Sequence, residues 1–151
     1  MENGKLRGSL ELVGIVAVIL SLVLVAYEIR QNTNAVESAV IQSLVESSTD
    51  ATMVIAENRE LRDSFFAAVE GNMTEDQRRQ MFVYIAAALR IQQNRFEQVK
   101  LGMIDRELAL SLGGRGGTYR LPYFAEAWEE LSPRFPPDFR EYVNQYVLPL
   151  A

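Results

Sequence analysis

The sequence contains neither cysteine nor histidine among its 151 residues. The absence of cysteine excludes disulfides, thiolate nucleophiles and cysteine-based metal sites. The absence of histidine removes the commonest general acid or base and the commonest metal ligand. We therefore predict no catalytic residue, no metal site and no cofactor. Any chemistry would have to come from carboxylates, lysine, tyrosine, serine or threonine.

An excess of positive charge is also missing, because 15 lysines and arginines stand against 20 aspartates and glutamates, a formal net charge of −5. Binding to nucleic acid requires a clustered basic surface. The pair Arg78 and Arg79 is flanked by Glu75 and Asp76, which is typical of a solvated helix surface. We predict no nucleic-acid partner.

Charge and proline are both absent between Leu12 and Tyr27, where only Gly14 and Ser21 are not apolar. A bilayer core of about 30 Å needs roughly 20 helical residues. Residues 10–29 meet this length, which predicts a transmembrane helix preceded by an N-terminal tail over residues 1–9.

Two alternatives to a membrane anchor are a cleaved signal peptide and the buried core helix of a soluble protein. Lys5 and Arg7 would form the basic region of a signal peptide, but the apolar run is longer than most signal-peptide cores. The same two residues precede the apolar segment, while Arg30 alone follows it closely. This asymmetry favours an N-terminus in the cytoplasm and a domain on the other side.

Small residues recur on one face of the predicted membrane helix, at Gly14, Ala17 and Ser21. Such spacing allows another helix backbone to approach closely, so we predict a packing face for a second copy or another membrane protein. The alternative is that small residues are simply frequent in membrane helices.

A polar segment follows the apolar run, formed by Arg30, Gln31, Asn32 and Thr33. These side chains lie where the helix would leave the bilayer, so they are candidates for binding lipid headgroups or neighbouring copies. The alternative is a polar flank that only stops translocation.

No glycine or proline follows until Gly71, and apolar residues continue at helical spacing at Ile29, Val36, Val40 and Leu44. This predicts a juxtamembrane helix over residues 30–57, continuous with the anchor. Its apolar stripe is either a coiled-coil seam between copies or, slightly favoured, the face that receives the following helices.

Residues 58–151 are predicted to form a helical domain, which makes the fold class all-α with a small helical bundle. Asn58 is a candidate N-cap, Gly71 a helix end, and Thr74 the start of a capping box. Pro122 and the pair at 136 and 137 each mark a helix start.

Glu97 lies in an apolar helix face near Arg90, Gln93 and Asn94, and these four residues are the candidate buried polar cluster. The favoured alternative is an intrahelical or interhelical ion pair that fixes packing.

The glycine-rich segment 113–117 is predicted to be a flexible loop, because four glycines cost too much ordering entropy inside a regular element. Arg115 and Thr118 do not supply the Gly-Lys-Ser/Thr pattern of a phosphate-binding loop of the Walker type. A surface turn is favoured over a phosphate cradle, with a mobile lid as a further alternative.

Several short motifs have a familiar arrangement. Ile29-Arg30-Gln31-Asn32-Thr33 follows the apolar helix, Glu57-Asn58-Arg59-Glu60-Leu61 and Gly102-Met103-Ile104-Asp105 come later, and Phe135-Pro136-Pro137 lies near the end. With these motifs the chain resembles a widespread set of uncharacterised bacterial single-pass membrane proteins, although residues 108–121 depart from the pattern. The resemblance implies a bacterial membrane protein without an established activity. Together with the charge asymmetry around the apolar segment, it gives the expectation of an inner-membrane location with a periplasmic domain.

The sequence therefore favours a non-enzymatic, membrane-anchored scaffold or accessory subunit. Its expected partners are the lipid bilayer and either further copies of the chain or another membrane protein. Two alternatives are a homo-oligomeric pore or transport component and a carboxylate-dependent enzyme acting on a lipid-like substrate.

Overall fold

The protein is all-α in a computed structural model that describes residues 2–114 and 116–150, and no strand occurs among these residues. This confirms the predicted fold class. The six α-helices are α1 (Glu2–Glu57), α2 (Arg59–Glu70), α3 (Glu75–Lys100), α4 (Arg106–Ala109), α5 (Pro122–Leu131) and α6 (Pro137–Tyr142). Short π-helical turns cover Leu110–Gly114 and Val143–Val147, and 3-10 turns cover Gly117–Arg120, Ser132–Arg134 and Leu148–Leu150.

The starts of α2 and α3 follow from local side-chain chemistry. Asn58 Oδ1 accepts a hydrogen bond from Leu61 N at 3.0 Å. Thr74 Oγ1 accepts from Gln77 N at 3.3 Å, and Gln77 Oε1 accepts from Thr74 N at 2.8 Å, which completes a capping box. Gly71 ends α2 with φ +73°, a conformation that glycine adopts without strain. The three predicted caps are confirmed.

The chain divides into two compact units, Met1–Ala39 and Val40–Ala151. The sequence placed the start of the helical domain at residue 58, whereas this second unit begins at Val40. The reason lies in the last turns of α1, where Leu44 is buried against Ile104 and Ala109.

The main core of the second unit forms around the buried face of α3. Met81, Ile85 and Leu89 are fully buried there. On the other side Phe139 of α6 contacts a group of rings, with centroid distances of 5.5 Å to Phe96, 6.4 Å to Trp128, 5.3 Å to Phe135 and 6.1 Å to Tyr142. Aromatic pairs at these distances stabilise a core beyond the burial of their area.

A smaller core forms between the end of α1 and α4. Leu44, Ile104 and Ala109 are buried in it, and Val40 and Ile41 pack against it. The lower part of the apolar stripe therefore closes on its own chain. Val36, nearer the N-terminus, remains exposed.

Candidate functional site

The first candidate surface is the apolar part of α1 that lies within the first unit. One segment of α1 is long and apolar enough to cross a membrane, and none of the 18 residues in its most apolar window is buried. The large apolar side chains here are each between 48% and 66% exposed, namely Leu12, Val13, Ile15, Val16, Val18, Ile19, Leu20, Leu22, Val23, Leu24, Val25, Tyr27 and Ile29. This exposed surface surrounds the helix instead of forming a stripe.

The predicted small-residue face lies on this surface. A Cβ atom built at Gly14 would meet no atom within 4 Å. Ser21 Oγ donates to the carbonyl oxygen of Ala17 at 2.9 Å, so its hydroxyl is satisfied within the helix. The face is therefore apolar in character and open, and its role in packing stays a prediction.

The predicted juxtamembrane segment is exposed along its length. The described chain leaves all four side chains exposed, those of Arg30, Gln31, Asn32 and Thr33. Thr33 Oγ1 donates to the carbonyl oxygen of Ile29 at 3.0 Å. Nothing in this geometry gathers these side chains into a pocket, and their contact with lipid or neighbours stays a prediction.

The candidate buried polar cluster does not form. Arg90 and Asn94 are exposed, and Gln93 and Glu97 are only half-buried. Arg90 lies over the ring of Phe135 at 4.4 Å.

The remaining contacts of that set are typical of a solvated surface. Arg90 donates to Gln93 Oε1 at 2.9 Å. Glu97 pairs with Lys100 at 3.6 Å, with both side chains more than 40% exposed. The alternative of an intrahelical ion pair therefore describes Glu97 better, although this pair lies at the surface.

The buried polar residues of α3 are instead Gln92 and Arg95, which are 0% and 3% exposed. They continue the inward series of Ile85, Ala88 and Leu89 at spacings of three and four, whereas Glu97 falls outside it. This spacing was the signal in the sequence. It was missed because a buried helix face is recognised by apolar residues, whereas both of these side chains are polar.

Arg95 is held by neutral oxygen atoms. Its Nη1 donates to Gln92 Oε1 at 2.8 Å, and its Nη2 donates to Ser48 Oγ at 2.6 Å. Ser48 Oγ in turn lies 2.6 Å from the carbonyl oxygen of Leu44 and 2.9 Å from that of Leu112, and one of them accepts its proton. Gln92 Nε2 donates to the Tyr142 hydroxyl at 3.0 Å.

No carboxylate of the described chain lies within ion-pairing distance of Arg95, and its buried Nε has no hydrogen-bond partner there. Burial lowers the pKa of the guanidinium from its ordinary value, although arginine stays charged at any physiological pH. The neighbouring Tyr119 is buried, and desolvation raises the pKa of its hydroxyl. That hydroxyl donates to the carbonyl oxygen of Ala88 at 3.1 Å.

A cavity of about 170 Å³ adjoins Arg95. Hydroxyl-bearing residues and glycines surround it together with a few apolar side chains; the polar members and glycines are Ser48, Thr52, Tyr84, Arg95, Thr118, Tyr119, Gly113, Gly116 and Gly117. The glycine-rich segment therefore forms one wall. The π-helical turn Leu110–Gly114 covers the start of this segment and the 3-10 turn Gly117–Arg120 begins at its last residue, so the segment is more regular than predicted.

Gly113 has a specific reason to be glycine. Its φ is +155°, and a Cβ atom built there would lie 2.7 Å from Arg95 Nη1. Any larger residue would therefore push against the guanidinium and strain the backbone. The sequence showed the glycines, but their contact with Arg95 depends on a fold in which residues 18 positions apart meet.

An apolar groove of about 370 Å³ shares the side chains of Ala51, Tyr84, Ala88 and Ile91 with this cavity. In the described residues from 11 onward, no group of three or more carboxylates is arranged to hold a metal ion. No protein-family model, no curated protein and no solved structure matches the chain. The chemical character of this site is that of a buried cation beside a cavity, with hydrogen-bond partners but no carboxylate partner among the described residues.

Proposed function

We propose that the chain is a membrane-anchored, non-enzymatic interaction protein of a bacterial inner membrane. In this proposal residues 10–29 cross the bilayer once, the N-terminus lies in the cytoplasm, and the helical domain lies in the periplasm. The observation that carries the proposal is the exposed apolar surface of α1.

The energetics of that surface support a lipid environment. Leaving one valine, leucine or isoleucine side chain in water instead of burying it costs about 1.5–3 kcal/mol. Soluble monomers rarely expose contiguous apolar patches of more than a few hundred Å². The apolar side chains of α1 surround the helix and are about half exposed or more, so a bilayer is the environment that covers every side of it.

The interaction role rests on the small residues of the membrane helix. The face of Gly14, Ala17 and Ser21 has no covering atoms from its own chain near Gly14. Helices in lipid associate through close backbone approach at such small residues. We propose a second copy of the chain as the occupant of this face.

Membrane integration is tested by alkaline carbonate extraction of bacterial membranes that contain the full chain. The wild type should remain in the membrane pellet. A variant with Val18→Arg and Leu22→Arg should be lost from it, because each charge at the centre of a membrane helix costs roughly 2.5–3.5 kcal/mol. The matched control carries Thr49→Arg and Met53→Arg at exposed positions of the same helix. Release of the wild type by carbonate would end the membrane proposal.

Self-association is tested by single cysteines, which the cysteine-free chain allows without background. Ser21→Cys should form a disulfide-linked dimer on mild oxidation in membranes. Val23→Cys, which lies two residues on and therefore on the opposite side of the helix, should do so much less. Equal or absent crosslinking at the two positions would contradict a dimer through this face.

A further inference from the structure

We propose that the cavity beside Arg95 binds a phosphoryl group, supplied by free phosphate or by the phosphomonoester headgroup of a lipid. This proposal stands independently of the membrane anchor, because every residue that it uses lies in the second compact unit.

The charge of Arg95 has no carboxylate partner among the described residues. Arg95 is 3% exposed, and its hydrogen-bond partners there are the neutral oxygens of Gln92, Ser48 and Tyr119. A buried cation is costly unless a counter-charge compensates it, and arginine cannot escape by losing its proton. The fold keeps this cation without supplying an anion from the described residues, so the missing charge has to come from a ligand.

Arg95 has N–H groups that no described residue accepts from. A guanidinium has five N–H groups in a rigid fork that matches phosphate oxygens. Arg95 has three hydrogen-bond partners among the described residues, Gln92, Ser48 and Tyr119, and its Nε is buried without one. Thr118, which carries a hydroxyl, lines the same cavity.

The cavity has a volume of about 170 Å³, well above the roughly 10–15 Å³ of probe volume that one water molecule needs, so a group of the size of a phosphate has room in it. The described lining residues include no aspartate or glutamate that would repel a dianion.

The backbone of Gly113 lies close to the guanidinium of Arg95. The absence of a side chain there allows the backbone to pass over the guanidinium, where a Cβ atom would lie 2.7 Å from Nη1 and 2.9 Å from Nη2. The backbone at Gly113 can therefore line the cavity next to the Arg95 guanidinium without a side chain that would occupy the cavity.

The test is thermal unfolding of the full chain, followed by the fluorescence of Trp128, the only tryptophan. In mild detergent, inorganic phosphate should raise the midpoint saturably by several degrees, because a ligand that binds only the folded state stabilises it. Sodium acetate at equal ionic strength should not. In phosphatidylcholine liposomes in a buffer free of inorganic phosphate, added phosphatidate should raise the unfolding midpoint if a lipid headgroup is the source. A response to phosphate alone identifies the free ion.

Two variants connect the response to the site. Arg95→Met should abolish the phosphate response. Thr118→Val should weaken the apparent affinity by about tenfold, because it removes one hydrogen bond to a charged group. Thr49→Val is the matched control, since Thr49 is exposed on α1, lies outside the cavity lining, and donates to the carbonyl of Val45; its affinity should equal that of the wild type.

The proposal is overturned if neither phosphate nor phosphatidate shifts the wild-type midpoint, or if acetate shifts it equally. It is also overturned if Thr118→Val and Thr49→Val respond alike, a comparison that remains decisive even if Arg95→Met does not fold. Failure of the membrane extraction experiment would leave this proposal untouched, because the two tests measure different parts of the chain.

Discussion

Replacing Arg95 by methionine should change the free energy of unfolding only slightly when phosphate is absent. Methionine has a similar unbranched stem, so the packing of the stem is largely kept. The guanidinium charge is removed from a site where it is 3% exposed, which relieves a desolvation penalty of several kcal/mol.

The opposing contributions can be estimated from the contacts. Arg95 makes two hydrogen bonds, at 2.8 Å and 2.6 Å, and hydrogen bonds to charged groups contribute about 1.5–3 kcal/mol each. After the substitution, Gln92 Oε1 loses its donor, which costs about 1–3 kcal/mol. Ser48 keeps a backbone acceptor. The loss of the two hydrogen bonds amounts to about 3–6 kcal/mol and already includes the cost at Gln92. The relieved desolvation penalty is of similar size, so we expect a net destabilisation of about 0–2 kcal/mol.

The assay is urea unfolding of the full chain in detergent, followed by Trp128 fluorescence. Arg90→Met is the control on the exposed side of the same helix. A buried arginine that belongs to a structural ion pair would behave differently, since breaking such a pair costs about 3–5 kcal/mol. A loss of that size for Arg95→Met, restored by Arg95→Lys, would show that the charge itself holds the fold together and would refute the reasoning.

Substitutions at Gly113, Tyr119 and Thr74 test the contacts around Arg95 and the cap of α3. Gly113→Ala should lower the unfolding midpoint by several degrees and weaken the phosphate response, because its Cβ would lie 2.7 Å from Arg95 Nη1; a thermal unfolding scan that matches the wild type would contradict this contact. Tyr119→Phe should reduce the loss of stability above about pH 10, because burial raises the pKa of Tyr119 in the folded state while the unfolded side chain ionises near its ordinary value of about 10. Urea unfolding at pH 8 and pH 11 measures the difference, and an unchanged pH dependence would count against it. Thr74→Ala should cost about 1 kcal/mol by removing the N-cap of α3, whereas Thr49→Ala in the same urea assay should cost less.

Helices and their ends were determined by the sequence itself, because the responsible forces act between residues close in the chain. The absence of charge between Leu12 and Tyr27 predicts a membrane-length apolar helix, and the structure has one. The caps at Asn58 and Thr74 depend on groups three residues apart. The all-α fold class follows from the same local signals.

Only the tertiary structure decided which polar side chains of α3 are buried. Glu97 and Arg95 lie two residues apart on one helix and therefore point to different sides of it. The choice between them depends on where α1, α5 and α6 pack, and those contacts join residues far apart in the chain. Arg95, and not Glu97, meets Ser48 of α1.

The same reason explains the apolar stripe after residue 29 and the glycine-rich segment. A stripe of Val36, Val40 and Leu44 fits a partner copy as well as its own domain, and only the packing of Leu44 against Ile104 chooses between them. Four glycines in one short segment predict a turn, but no local rule places Gly113 over a guanidinium. Long-range packing places Arg95 and Gly113 beside one cavity, and neither residue is conspicuous in the sequence alone.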